Sequence, residues 1–147
     1  MALHPDFCDL LSAFAADEVR YLLVGGYAVA FHARPRFTKD LDVWVDARPE
    51  NLERVERALS RFGAPGEVIE ALRTASHDDV VWMGAPPVRI DVVKGIPGIS
   101  FTQAWPNRVE AEIDGVPLFV IGKSDLVIAK RASGRPQDLL DLEALEE

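Results

Sequence analysis

The stretch FTKDLDVWVD, residues 37–46, places two aspartates inside a run that otherwise has the pattern of a buried strand. Because side chains alternate between the two faces of a strand, Asp40 and Asp42 are predicted to share one face. The residues predicted to face the core are Leu41, Val43 and Val45. Aspartate is disfavoured in strands, so paired carboxylates at this position require a reason.

A metal site is one reason for this pairing. Two carboxylates with Cα atoms roughly 6.5–7 Å apart repel each other unless a cation lies between them. Two divalent ions fit such a pair, and hard oxygen ligands suit magnesium, which takes further ligands from water and phosphates. A third acid, Asp91, lies in the apolar run VRIDVV at 88–93, on the same strand face as Arg89 and Val93. An isolated D-x-D pair is usually solvated surface, but an acid in a second strand favours the metal site.

A glycine pair adds a candidate phosphate site. The apolar run YLLV, residues 21–24, is predicted to be a strand that ends at Gly25 and Gly26, before a helix over 27–33. A glycine turn at a helix N-terminus lets backbone N–H groups approach an anion. The spacing is not that of the dinucleotide fingerprint G-x-G-x-x-G. A phosphate site beside three acids predicts phosphoryl chemistry on a nucleoside triphosphate.

The rest of the sequence predicts one α/β domain over residues 1–147, with a mixed sheet flanked by helices and a C-terminal helical tail. Further helices are predicted at 6–20, 49–63 and 67–75, and the second of these ends at Gly63. Two hairpins are predicted, 80–83 with 88–93 and 109–114 with 116–122. The second hairpin turns at Asp114–Gly115. The tail is predicted to form two helices broken at 134–136, which pack through Leu139, Leu142 and Leu145.

Composition restricts the class of protein. The net charge of −8 disfavours non-specific attraction to nucleic acid. A single cysteine, Cys8, excludes an intramolecular disulfide and a cysteine-rich zinc site. We find neither a signal-peptide pattern nor an apolar run of about 18 residues, so we expect a cytoplasmic protein without a membrane partner.

The run YLLVGGYAVAFHARPRFTKDLDVWV, residues 21–45, followed by RIDVV at 89–93, resembles the polymerase-beta-like nucleotidyltransferase superfamily. The resemblance is greatest to minimal bacterial members related to abortive-infection and toxin–antitoxin nucleotidyltransferases. The tail AKRASGRPQDLLDLEAL, residues 129–145, is similar to the helical ending of that group. Larger members have a serine after the first glycine, whereas this chain has Gly26.

The resemblance implies a role for each matching residue. Asp40, Asp42 and Asp91 would be catalytic and would bind two Mg²⁺ ions, or Mn²⁺, with Asp91 nearest the attacking hydroxyl. The residues that would bind the nucleotide are Gly25, Gly26, Arg36, Thr38 and Lys130. The alternative for Lys130 is a purely structural ion pair with Asp138 or Asp141 of the tail. His32 is expected to be structural, and Trp44 to line the pocket or pack in the core.

These residues predict an enzyme that transfers a nucleoside monophosphate from an NTP to an acceptor hydroxyl and releases pyrophosphate. The acceptor stays open: an RNA such as tRNA, a protein side chain or a small molecule. The resemblance also implies a toxin–antitoxin component with an antitoxin partner. Two other functions compete with the enzyme: a non-catalytic nucleotide- or partner-binding module on the same fold, and a two-metal nuclease, which would not need the glycine turn.

Overall fold

The computed structural model describes residues 3–35, 38, 40–85 and 88–146. Within these residues, six strands form one mixed sheet in the order β3-β4-β2-β1-β6-β5. The strands are β1 (Tyr21–Val24), β2 (Asp40–Val45), β3 (Val80–Met83), β4 (Arg89–Val93), β5 (Val109–Ile113) and β6 (Val116–Val120). The mixed α/β fold predicted from the sequence is confirmed.

Seven helices in the described residues surround the sheet: α1 (Pro5–Ala16), α2 (Gly25–His32), α3 (Pro49–Phe62), α4 (Gly66–Thr74), α5 (Phe101–Ala104), α6 (Lys123–Ser133) and α7 (Pro136–Glu146). A 3₁₀ turn, Trp105–Asn107, follows α5. Helix α1 packs on α3 and β6, and α7 packs on α6 and α2. None of the helices in the described part of the chain is long and apolar enough to cross a bilayer.

The strand register sets the position of the acids. Strands β2 and β4 are parallel neighbours, and Asp42 lies opposite Asp91. Strand β1 runs antiparallel to β2 with Val24 opposite Asp42, and β3 runs antiparallel to β4 with Trp82 opposite Asp91. Opposite residues point to the same face of a sheet, so Asp42, Asp91 and Trp82 form one row across it.

The other sheet face is the core face. Leu41, Val43 and Val45 are fully buried, as are their neighbours Ile90 and Val92 on β4. Burying each of these side chains stabilises the fold by about 1.5–3 kcal/mol. Apolar burial on one face therefore holds β2 in place and leaves its acids on the other.

Most helix ends and turns lie where the sequence predicts them. Gly63 ends α3 in the left-handed conformation, with φ of 98°. Asp114 and Gly115 both have positive φ, as a two-residue hairpin turn requires. Helix α2 begins at Gly25 itself, two residues earlier than predicted.

The prediction that Leu139 packs was wrong. Its side chain is 56% exposed, while Leu142 and Leu145 are buried. Helix α7 turns its Asp138 and Asp141 inward instead, and both are buried. The helix buries this face rather than the predicted one because both acids pair with a buried cation, Lys130, as described below.

Candidate active site

The sheet face opposite the core forms the floor of a cleft of about 1060 Å³. Asp40, Asp42 and Asp91 line this cleft together with Gly25 and Lys130. The structure therefore brings together three acids, one glycine and one cation that the sequence predicted for the site, from four separate elements.

Gly25 fits its position for two independent reasons. Its φ of +66° lies in the left-handed region that L side chains rarely adopt. A Cβ at this position would lie 2.1 Å from Oδ2 of Asp42 and 3.0 Å from the Asp42 Cβ. A residue with a side chain would therefore displace the central carboxylate, so the glycine lets the start of α2 approach the acids.

The carboxyl group of Asp42 has a strongly raised pKa. Burial, the adjacent charges of Asp91 and Asp40, and a hydrogen bond shared with Asp91 together raise it to about 7, with burial the largest cause. Lys130 acts in the opposite direction and lowers the pKa. Crowded carboxylates of this kind are energetically unfavourable until a cation or a proton joins them.

This crowding predicts a stability effect. A carboxyl whose pKa rises from 3.8 in the unfolded chain to about 7 in the fold opposes folding. The penalty is absent below about pH 4, where both states hold the proton, and grows up to about pH 7. Asp42→Asn removes the charge, so we expect its melting temperature at pH 7, without divalent ions, to be about 2–4 °C above wild type. Calorimetry from pH 4 to 7 measures this, and a clear decrease at pH 7 would instead make Asp42 a structural hydrogen-bond acceptor.

Arg89 joins the third acid to an exposed aromatic residue. Its Nε donates to Oδ1 of Asp91 at 2.8 Å, and its guanidinium lies 5.0 Å from the ring centroid of Trp82. Trp82 is 56% exposed. The sequence placed Arg89 on the face of Asp91 but gave no sign of the contact with Trp82, which depends on the β3–β4 register.

Lys130 forms two buried ion pairs. Its Nζ lies 2.9 Å from Asp138 Oδ1 and 3.0 Å from Asp141 Oδ2. Burial opposes ionisation of Asp138, but hydrogen bonds from Arg135, Lys130 and Ser133 outweigh it and lower the pKa. The structural alternative for Lys130 is thus observed, and the residue also lines the cleft.

The sequence analysis missed Arg135 as a cation of the cleft. Its side chain is 72% exposed, and its Nε donates to Asp138 Oδ2 at 2.8 Å. The spacing of three residues between Arg135 and Asp138 at a helix start was the available signal. A guanidinium held on one side and open on the other suits an anionic substrate.

The other predicted residues have different surroundings. Arg36 lies outside the described residues. Gly26 is buried and Thr38 partly buried, and neither is among the described residues that line the cleft. Nε2 of His32 lies 2.6 Å from the Ile121 carbonyl oxygen, a structural contact. Trp44 is almost fully buried against Phe101 and also forms part of the cleft wall.

The donor chemistry of the cleft fits a divalent cation. In the described part of the chain, no three acidic, histidine or cysteine side chains form a ready-made ligand cluster. Even so, the acids supply hard oxygens, and burial together with the adjacent acids raises the pKa of Asp42, an effect that a bound cation would oppose. Magnesium commonly uses one or two carboxylates and takes its remaining ligands from substrate phosphates. The residues therefore fit an ion that binds together with a phosphate-bearing substrate.

Solved structures with the same fold include antibiotic-modifying enzymes. The lincosamide antibiotic adenylyltransferase LnuA, solved with lincomycin, is 16% identical; the match covers 99% of this chain and 98% of LnuA, with a TM-score of 0.65. ANT(2'')-Ia, solved with adenylyl-2''-tobramycin, is 13% identical over 95% of this chain and 84% of its own, with a TM-score of 0.61. The putative nucleotidyltransferase TM1012 from Thermotoga maritima is 14% identical over 93% and 88%, with a TM-score of 0.62. At these identities the likeness shows the fold.

The sequence itself identifies the family. No curated protein matches the chain. A family profile described as "nucleotidyltransferase of unknown function (DUF6036)" matches residues 8–146. Since this match spans nearly the whole sequence, the chain belongs to this nucleotidyltransferase family.

Proposed function

We propose that residues 1–147 act as a single nucleotidyltransferase domain that transfers a nucleoside monophosphate from an NTP to an acceptor hydroxyl. The observation that carries the proposal is the convergence of Asp40, Asp42 and Asp91 with the Gly25 backbone in one cleft. A binding module without catalysis would not need three acids crowded at a cost in stability.

The chain's own residues have separate tasks in this proposal. Backbone groups at Gly25 and the open side of Arg135 bind the phosphates, which the N-terminus of α2 also favours. Asp40 and Asp42 would hold two magnesium ions, with Asp91 holding one of them. When bound, these ions would neutralise the phosphates and stabilise charge on the entering and leaving oxygens.

The reaction balances without a further reactant. The acceptor oxygen forms a bond to the α-phosphorus, the bond from the α-phosphorus to the bridging oxygen breaks, and pyrophosphate leaves. The proton of the acceptor hydroxyl passes to a carboxylate oxygen of Asp91, which would lie nearest the acceptor. Positioning and charge stabilisation supply the rate enhancement.

Two classes of acceptor follow from different observations. The resemblance of residues 21–45 and 89–93 supports an RNA or protein acceptor, with an antitoxin as partner. A small-molecule acceptor is supported by the structural neighbours solved with lincomycin and with adenylyl-tobramycin.

The proposed function predicts that the wild-type protein is stabilised by NTP only in the presence of magnesium or manganese. At 100 times the dissociation constant, a ligand stabilises the fold by about 2.7 kcal/mol, which raises the melting temperature by roughly 5–10 °C. Thermal-shift measurements with each of the four NTPs, with Mg²⁺, Mn²⁺ or EDTA, measure this effect.

Transfer is tested next with α-phosphate-labelled NTPs as donors. The acceptors are total tRNA, tobramycin and lincomycin. Label that reaches an acceptor only with the divalent ion supports the enzyme. An NTP-induced shift without transfer to any acceptor would favour the binding module, and acceptor RNA that is cut rather than extended would favour the nuclease. Restoration of growth by the adjacent gene in a co-expression assay tests the toxin–antitoxin role.

A further inference from the structure

The order of the strands in the sheet gives the cleft a direction. The inference drawn from this direction rests on the proposed function. Gly25 follows β1, and the row across the sheet continues through Asp42 on β2 and Asp91 on β4 to Trp82 on β3. In an in-line displacement the entering hydroxyl and the leaving pyrophosphate lie on opposite sides of the α-phosphorus. If the phosphates lie at Gly25, the acceptor must therefore approach from the β3 side, where Trp82 lies opposite Asp91 of the cleft lining.

Trp82 has the properties of a contact surface on that side. Neighbouring strands lie about 4.8 Å apart, so its Cα is roughly one strand spacing from that of Asp91. Its side chain is 56% exposed on an edge strand, next to the 51% exposed Val80. Arg89 lies over the indole ring and donates to Asp91, so one guanidinium links the exposed ring to the third acid.

We propose that Trp82 and Arg89 form an acceptor platform that stacks the 3′-terminal nucleotide of single-stranded RNA and presents its hydroxyl to Asp91. Exposed indole and guanidinium planes are the side chains on which unpaired bases stack. Charge also favours this acceptor. The Arg89 side chain is 34% exposed, so its guanidinium is accessible to the phosphates of a polyanion while it lies over the indole ring.

The platform is tested with Trp82→Ala, Trp82→Phe and the matched control Leu140→Ala. Leu140 is a 58% exposed apolar residue on α7 and controls for the loss of exposed apolar surface. The probes are single-stranded RNA oligonucleotides that differ only in the terminal base. We expect Trp82→Ala to raise KM for RNA about 5- to 100-fold, with kcat and the KM for NTP within about twofold of wild type. Trp82→Phe should retain most of the affinity, and Leu140→Ala all of it.

Binding without turnover gives a second readout. Fluorescence anisotropy of labelled RNA, without NTP, should show the same loss of affinity for Trp82→Ala. Unchanged RNA affinity in a folded Trp82→Ala protein would overturn the platform. Transfer to tobramycin or lincomycin but not to RNA would overturn the RNA assignment, even if it required Trp82.

Failure of the platform is distinguishable from failure of the proposed function. If NTP stabilises wild type in a magnesium-dependent way but RNA transfer is insensitive to Trp82, only the platform is contradicted. Absence of any NTP-induced stabilisation in wild type removes the proposed function and the platform with it.

Discussion

Asp42→Asn should lower the rate of label transfer from α-labelled NTP at least about 1000-fold, to the background of the assay. Asp42 lies between Asp91 and the Gly25 turn, and its carboxylate lies close enough to exclude any side chain at Gly25. Asparagine keeps the shape but lacks the negative charge that a divalent ion requires. Loss of one preorganised electrostatic contact at a reaction centre typically costs about 100- to 1000-fold. The proposed function also makes Asp42 a ligand of both metal ions, so we expect a larger loss.

The matched control for this variant is Asp78→Asn. Asp78 is an exposed acid in the same cleft, and the substitution has the same chemistry and charge change. We expect its transfer rate to stay within about threefold of wild type. Equal losses in both variants would mean that the overall negative charge of the cleft matters rather than a specific ligand. Transfer that survives the combined loss of Asp40, Asp42 and Asp91 would indicate a contaminant or a different mechanism.

The shared sheet face of the acids was predictable from the sequence because strand alternation has a fixed period. Once β2 and β4 were recognised as strands, the faces of Asp42 and Asp91 followed, and only their alignment remained open. The parallel register sets Asp42 directly opposite Asp91. Gly25 was predicted from its chain position, but the second reason for glycine there, the nearby Asp42 carboxylate, requires the β1–β2 register as well.

Contacts between residues distant in sequence could not be predicted in this way. The contact of Arg89 with Trp82 depends on a hairpin register that the sequence around 84–88 does not define. Likewise, the leucine spacing of the tail indicated a packed Leu139, because periodicity does not show that buried acids compete for the same helix face. Asp138 and Asp141 occupy the buried face of the helix because Lys130 forms a charge-assisted contact with each of them.

Lys130→Met tests whether Lys130 stabilises the fold or binds the substrate. The lysine side chain is 9% exposed, and its partners Asp138 and Asp141 are 0% and 2% exposed. Removing one member of a buried ion pair typically costs 3–5 kcal/mol, because the remaining charge is left uncompensated. We therefore expect the free energy of unfolding at pH 7 to decrease by about 3–5 kcal/mol and the melting temperature by roughly 6–20 °C.

The pH dependence identifies the cause of that loss. In wild type the pKa of Asp138 is lowered from 3.8, so its contribution to stability is present above about pH 4 and is lost as the pH falls further. In Lys130→Met, Asp138 loses one of its two cations, so its pKa rises and protonation relieves the buried charge. The difference in unfolding free energy between the two proteins should therefore shrink as the pH falls from about 7 towards 4.

Lys123→Met is the matched control, because Lys123 lies exposed at the start of the same helix. Its unfolding free energy should stay within about 0.5 kcal/mol of wild type. NTP binding is then measured well below each melting temperature, so that only folded protein is compared. A Lys130→Met protein with unchanged stability but weakened NTP binding would contradict the ion-pair interpretation. It would make Lys130 a nucleotide contact, as the resemblance implies. Loss of stability with NTP affinity retained would instead leave Arg135, the exposed cation of the same cluster, as the cation that contacts phosphate from the helical side of the cleft.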